Sequence, residues 1–142
     1  METESIYHYI IEHSIRYFLF DSRQLMSPKN TIFFEKELIS RKNANMPPYG
    51  RLAAIILSSK FESNLDSFAS DISRLAPSFK NVKIFGPAPA PMYFLRGKYR
   101  RRFLIKSDKT VNIQKVLMDW TKKINKPSNI NLTIDIDPFS FM

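Results

Sequence analysis

The chain has 142 residues, 44% of them apolar and 25% charged, a composition that suits one folded domain with a short appendage rather than a disordered segment. It contains no cysteine, which excludes disulfides, thiolate nucleophiles, iron–sulfur clusters and thiolate zinc sites. The formal net charge is +9; residues 1–50 balance six basic against six acidic groups, so the whole excess lies beyond residue 50.

Residues 2–20 turn from polar to apolar, with Ile6, Tyr9, Ile10, Ile11, Ile15, Phe18 and Leu19 loosely spaced for a helix. Glu2 and Glu4 replace the basic start of a signal peptide, and no apolar run reaches the ~18 residues of a membrane span, so a cytoplasmic protein is expected. Asp21–Asn30 reads as a loop. Ile32–Arg41 predicts a second helix, with Phe33, Phe34, Leu38 and Ile39 as its buried side. Pro47-Pro48 and Gly50 then break the chain, which predicts a helical extension and linker over residues 1–45 and a separate domain over 46–142.

From residue 51 the pattern is regular. Leu52–Leu57 is an almost unbroken apolar run, the mark of a central strand. Ser63 offers an N-cap to a helix with Leu65, Phe68, Ala69, Ile72 and Leu75 on one face, ending before Pro77. Val82–Phe85 predicts a strand; Gly86-Pro87-Ala88-Pro89-Ala90-Pro91 follows on an extended, polyproline-like course, its alternating prolines forbidding helix, and Met92–Leu95 resumes a strand. Arg96-Gly97-Lys98 reads as a turn into a strand over Tyr99–Lys106. Ser107, Asp108 and Thr110 offer caps to a helix with Ile113, Val116, Leu117, Trp120 and Ile124 on one side, ended by Pro127. Ile130, Leu132, Ile134 and Ile136 alternate with polar residues, predicting a strand with one wet face. The order β-α-β-β-α-β predicts an α+β, ferredoxin-like domain: a four-stranded antiparallel sheet with two helices on one face, preceded by an N-terminal helical extension. Its middle hairpin is expected to project as a basic finger.

That hairpin holds Arg96, Lys98, Arg100, Arg101, Arg102, Lys106 and Lys109, opposed by Asp108 alone. Such a cluster attracts polyanions, and arginine's planar fork suits phosphate. Arg96, Lys98, Arg100, Arg102 and Lys106 are the expected ligands. Arg101 points to the other face and is expected at the core's rim, free to pair with a carboxylate. Tyr93, Phe94 and Tyr99 flank the turn, where they either stack on unpaired bases or pack across the hairpin. Phe103 and Trp120 are in phase with the core.

Other chemistry finds little support. The three glycines form no phosphate-cradling loop, since none starts a Gly-Lys-Ser/Thr sequence. His8 and His13 are five apart and do not share a helical face. Asp135 and Asp137 share a strand face, but without a third ligand they read as a polar face or as partners for arginines. No catalytic residue, metal or cofactor is expected.

Four segments carry a resemblance: Met46-Pro47-Pro48-Tyr49-Gly50-Arg51, Gly86–Pro91, Leu95-Arg96-Gly97-Lys98-Tyr99-Arg100 and Ile134-Asp135-Ile136-Asp137-Pro138. In this order they resemble the C-terminal domain of the primosomal helicase family PriA. Phe33-Phe34-Glu35-Lys36-Glu37-Leu38, with Arg41, resembles the segment that enters that domain. The resemblance runs from about Phe33 to the C-terminus. It implies a ferredoxin-like domain that helps bind branched DNA and takes part in docking the single-stranded DNA-binding protein. The family's Walker lysine, acidic metal-binding box and cysteine-rich zinc region have no counterpart here, so ATPase and helicase activity are not carried over. Residues 1–32 do not resemble the helicase lobe, and the expectation is a detached C-terminal domain.

The sequence thus points to a non-catalytic DNA-binding module of the replication-restart primosome, contacting forked or single-stranded DNA, with other primosome proteins as partners and no membrane. The alternatives are a docking module for the acidic tail of single-stranded DNA-binding protein and a non-functional remnant of a split helicase gene. The docking mode requires an apolar pocket beside a few basic groups.

Overall fold

The hydrophobic periods of the sequence become seven elements: α1 (Pro28–Asn43), β1 (Gly50–Ser59), α2 (Glu62–Arg74), β2 (Val82–Leu95), β3 (Lys98–Asp108), α3 (Ile113–Lys122) and β4 (Ile130–Ile136). The computed structural model describes residues 28–137, so the helix expected over residues 2–20 lies outside the described residues. The strands form one antiparallel sheet in the order β2-β3-β1-β4. With α2 and α3 on one face, this is the ferredoxin-like arrangement that the element order predicts.

The helix-covered face holds the main core. Ala53, Ile55 and Leu57 of β1 meet Phe103 and Ile105 of β3 beneath Leu65, Phe68, Ala69 and Ile72 of α2 and Ile113, Leu117 and Trp120 of α3. Trp120 is 1% exposed, packs edge-on against Phe103 with ring centroids 5.6 Å apart, and donates from Nε1 to the Ile72 carbonyl at 3.2 Å. One indole therefore ties both helices to β3 and leaves no polar group stranded.

The other face is not wholly open. Leu52, Phe85 and Leu104 form a second buried cluster, closed by Met46 and by Ala44 from the segment between α1 and β1. The segment is held by hydrogen bonds: Asn45 donates to Asp108 Oδ1 at 2.6 Å and Lys106 Nζ donates to the Ala44 carbonyl.

Several local expectations are corrected. The loop expected over Asp21–Asn30 gives way at Pro28, where α1 begins; proline suits a first turn because its missing N–H has no partner to lose there. Leu38 and Ile39 are exposed, not buried. The more buried side of α1 is polar: Glu37 accepts from Arg41 Nε at 3.0 Å, and Arg41 donates onward to the Pro47 carbonyl at 3.1 Å. The side chains of Phe33 and Phe34 lie outside the described residues.

Ser63 does not cap α2. The helix starts two residues earlier, behind Phe61, which has no side-chain cap, while Ser59 Oγ accepts the Phe61 N–H at 3.2 Å. It ends at Arg74, so Leu75 leaves the buried stripe and turns outward. Nor do Ser107, Asp108 or Thr110 cap α3. Ser107 and Asp108 are spent in the β3 ladder, opposite Arg51 and Gly50, and Asn112 supplies the cap by accepting the Lys115 N–H at 3.0 Å.

β2 is a single strand through the proline run, with irregular register between Phe85 and Ala88 and between Pro89 and Phe94. As an edge strand it tolerates residues that cannot donate to a neighbour. Gly86 sits at φ +120, and a Cβ there would lie 2.7 Å from the Arg102 carbonyl, so no larger residue lets β2 approach β3 here.

Trp120→Ala is expected to cost about 3–5 kcal/mol of unfolding free energy, measured by urea denaturation, with Trp120→Phe costing less.

Candidate nucleic-acid interface

The basic hairpin is built by a two-residue turn. Leu95 pairs with Lys98, and Arg96 and Gly97 between them take φ of +51 and +74, so both central residues are left-handed. This turn matches the right-handed twist of the flanking strands. It presents Arg96 at the tip, fully outside the ladder. The hairpin is not the free finger expected from the sequence: β3 pairs with β1 as far as Tyr99 opposite Ser59, so only the tip overhangs the sheet.

Along β3 the side chains alternate between faces, which separates the arginines. Arg101 lies on the helix side with Phe103 and Ile105. Its Nε donates to Asp66 Oδ1 at 2.7 Å, and one terminal nitrogen reaches Glu62 Oε1 at 2.8 Å and Asp66 Oδ2 at 3.2 Å. Burial disfavours its charge, but the hydrogen bonds to Glu62 and Asp66 and their fields outweigh that and raise its pKa. The carboxylate pairing weighed for Arg101 from sequence is thus its observed state.

Arg100, Arg102 and Lys106 share the opposite face, across from Ser58, Ile56 and Leu52 of β1. Their exposures differ. Arg100 is half-buried, whereas Arg102 is 5% exposed and sits inside the sheet between Ile56 and Ala88. Lys106 is tied to the Ala44 carbonyl; burial lowers its pKa, Lys83 across on β2 pushes the same way and Asp108 opposes. Arg96, Lys98, Arg100 and Lys83 make no ion pair among the described residues. The sequence reading missed Lys83, because only the strand register puts it beside Lys106.

Tyr93 and Phe94 remain half exposed beside the turn. Tyr99 contacts both, with ring centroids 6.1 Å and 4.9 Å away, and Phe94 is its cross-strand partner. The rings pack together and still offer open faces. At the far end of the sheet, Asp137 accepts from Arg51 at 2.7 Å, as expected of a partner for arginine. No group of three or more His, Asp or Glu residues fit for a metal ion occurs among the described residues. His8 and His13 lie outside them. No helix among the described residues is long and apolar enough to cross a membrane.

A second feature escaped the sequence reading. Between the end of α2 and the start of α3 lies a groove of about 430 Å³, floored by Leu75, Pro77, Phe79, Val111, Val116 and Trp120. Lys115 and Lys123 stand at its rim, with Asn112 and Asp119. It exists because α2 stops at Arg74 and leaves Leu75 and Phe79 outside the core.

The model of the primosomal protein N C-terminal domain matches residues 42–139. The chain belongs to that family. The replication restart protein PriA of Rickettsia conorii is 49% identical over 109 residues, which cover 77% of this chain and 17% of that protein. Its counterpart from Rickettsia felis is 50% identical over the same shares. That of Synechocystis sp. is 33% identical over 110 residues, 76% of this chain and 13% of the relative. The chain thus spans about a sixth of the length of the Rickettsia relatives. The match bears out the resemblance drawn from the four short segments, and its start near residue 42 includes the segment that closes the second cluster.

Removing the Arg101 charge with Arg101→Gln is expected to cost about 1–2 kcal/mol of stability, because Asp66 and Glu62 lose a charged hydrogen-bond donor. Thermal unfolding checks this, and a protein of unchanged stability contradicts it.

Proposed function

We propose that the chain is a non-catalytic DNA-binding module that serves replication restart, contacting branched or single-stranded DNA through its hairpin. The observation that carries this reading is the contrast within one strand. Arg101 is matched by two carboxylates, whereas Arg96, Lys98 and Arg100 are accessible and have no acidic partner among the described residues. A cation already paired has little to gain from a phosphate; an unmatched one releases counterions on binding it. Phosphate contacts carry no base sequence, so preference should follow DNA shape. The name of the relatives, replication restart protein, fits a role at forked DNA. Arg102 and Lys106 contribute field rather than contact in this scheme, one enclosed in the sheet and the other bonded to Ala44.

Fluorescence anisotropy with forked, duplex and single-stranded DNA tests the proposal. Binding is expected to weaken about tenfold or more between low and physiological salt, and Arg96→Glu, Lys98→Glu and Arg100→Glu together should remove it. A folded chain that binds none of the three overturns it.

The groove beside α3 favours a second reading, a docking site for an acidic peptide that ends in an apolar residue. Its floor suits the apolar side chain, and Lys115 and Lys123 suit the carboxylates. A labelled acidic peptide with a C-terminal phenylalanine should bind saturably and lose affinity in Lys115→Glu with Lys123→Glu, while the hairpin triple variant retains it. Equal binding by both sets of variants contradicts this site.

A further inference from the structure

Charge on the two faces of β3 meets different surroundings. On the helix side Glu62 and Asp66 answer Arg101. On the other side Arg100 lies opposite Ser58 of β1, and Ser58 lies opposite Asn131 of β4. Residues in register on neighbouring strands share a face, so these three form one row, about 10 Å from β3 to β4 at the usual strand spacing. Lys98 precedes Arg100 by two positions and Thr133 follows Asn131 by two, which puts both on the same face as the row. Asn131 and Thr133 are exposed, and Lys98, Arg100 and Ser58 are half-buried. All five carry hydrogen-bond donors. The character changes further along the sheet, where Leu104, Ala54 and the acidic Asp135 form the corresponding row. The same face carries Lys83 and Lys106 further along, but among the described residues a row of donors that reaches across to β4 occurs only at the hairpin end.

We propose that a single nucleic-acid strand crosses the sheet along this row, its phosphates held by Lys98 and Arg100 and then by Ser58, Asn131 and Thr133. This rests on the DNA reading above and extends it from the hairpin onto the open sheet face. Glu62 and Asp66 repel a polyanion from the helix side and direct it to this one. A single strand fits better than a duplex because Tyr93, half exposed beside the turn, offers a ring on which only unpaired bases can stack, whereas Phe94 shares the helix-side face of its partner Tyr99. Short donors such as Ser58 and Asn131 also require the backbone to lie close against the sheet, which a flexible strand achieves and a stiff duplex does not.

The test is anisotropy of the full chain with labelled oligo-dT and with a duplex of equal length. Asn131→Asp with Thr133→Glu puts two negative charges at exposed positions of β4, away from the hairpin. It is expected to weaken oligo-dT binding about tenfold and duplex binding far less. Asn131→Lys is expected to strengthen oligo-dT binding several-fold, a gain that misfolding cannot produce, while Gln114→Lys on exposed α3 should have little effect. If both β4 variants bind oligo-dT as the parent does, and the hairpin triple variant does not, the crossing path is wrong and the hairpin reading stands. If the parent binds no DNA, both readings fall.

Discussion

The alternation of β3 is the constraint on which the rest depends. The strand is paired on both sides, with β1 and with β2, so none of its side chains can turn away from its face. Phe103 and Ile105 must go into the core, and Arg101, on their face, is carried to the core's edge. A guanidinium there requires acidic partners, and Glu62 and Asp66 at the start of α2 supply them. The same period sends Arg100 and Arg102 to the other side. A run of three arginines, uniform in the sequence, thus becomes three environments: bridged, half-exposed and enclosed.

What the sequence made legible was local and periodic. The alternation from Ile130 to Ile136 appears directly in the structure, because an edge strand with one wet face leaves both its faces visible in the sequence. The stripes of α2 and α3, the turn at Arg96-Gly97 and the extended course through the prolines follow from spacing and backbone preference alone. What escaped was decided by distant residues. Ser107 and Asp108 are good caps by composition, but pairing with Gly50 and Arg51 claims them for the sheet. Leu38 and Ile39 look like a buried side, yet they are exposed, and the more buried side of α1 carries Glu37 and Arg41, which donates to the Pro47 carbonyl. The groove beside α3, the position of Lys83 and the row through Ser58 depend on strand register and helix ends, which no local window contains.

The segments that carry the family likeness have a physical reason to be distinctive. They coincide with places where the backbone has little choice. At Gly50 a Cβ would collide with the Asn45 carbonyl, and at Gly86 with that of Arg102. Arg96, Gly97 and Asp137 all take positive φ. Motifs at such points report the path of the chain, so they fix the fold more firmly than they fix a ligand.

The segment from Ala44 to Met46 changes where the folding unit begins. The proline pair reads as a break in the chain, but Met46 is 9% exposed on Leu52, Phe85 and Leu104, and Ala44 and Asn45 are bonded to β3. This stretch is a lid on the second cluster, upstream of the prolines. A truncation at Pro47 would strip it off and leave Phe85 and Leu104 facing water. Its amides, among them that of Met46, which donates to the Arg41 carbonyl at 2.8 Å, therefore belong to the cooperative unit of the sheet. In hydrogen exchange they would open together with β1 and β3, and the end of α1 would be protected as part of the domain rather than as its leash.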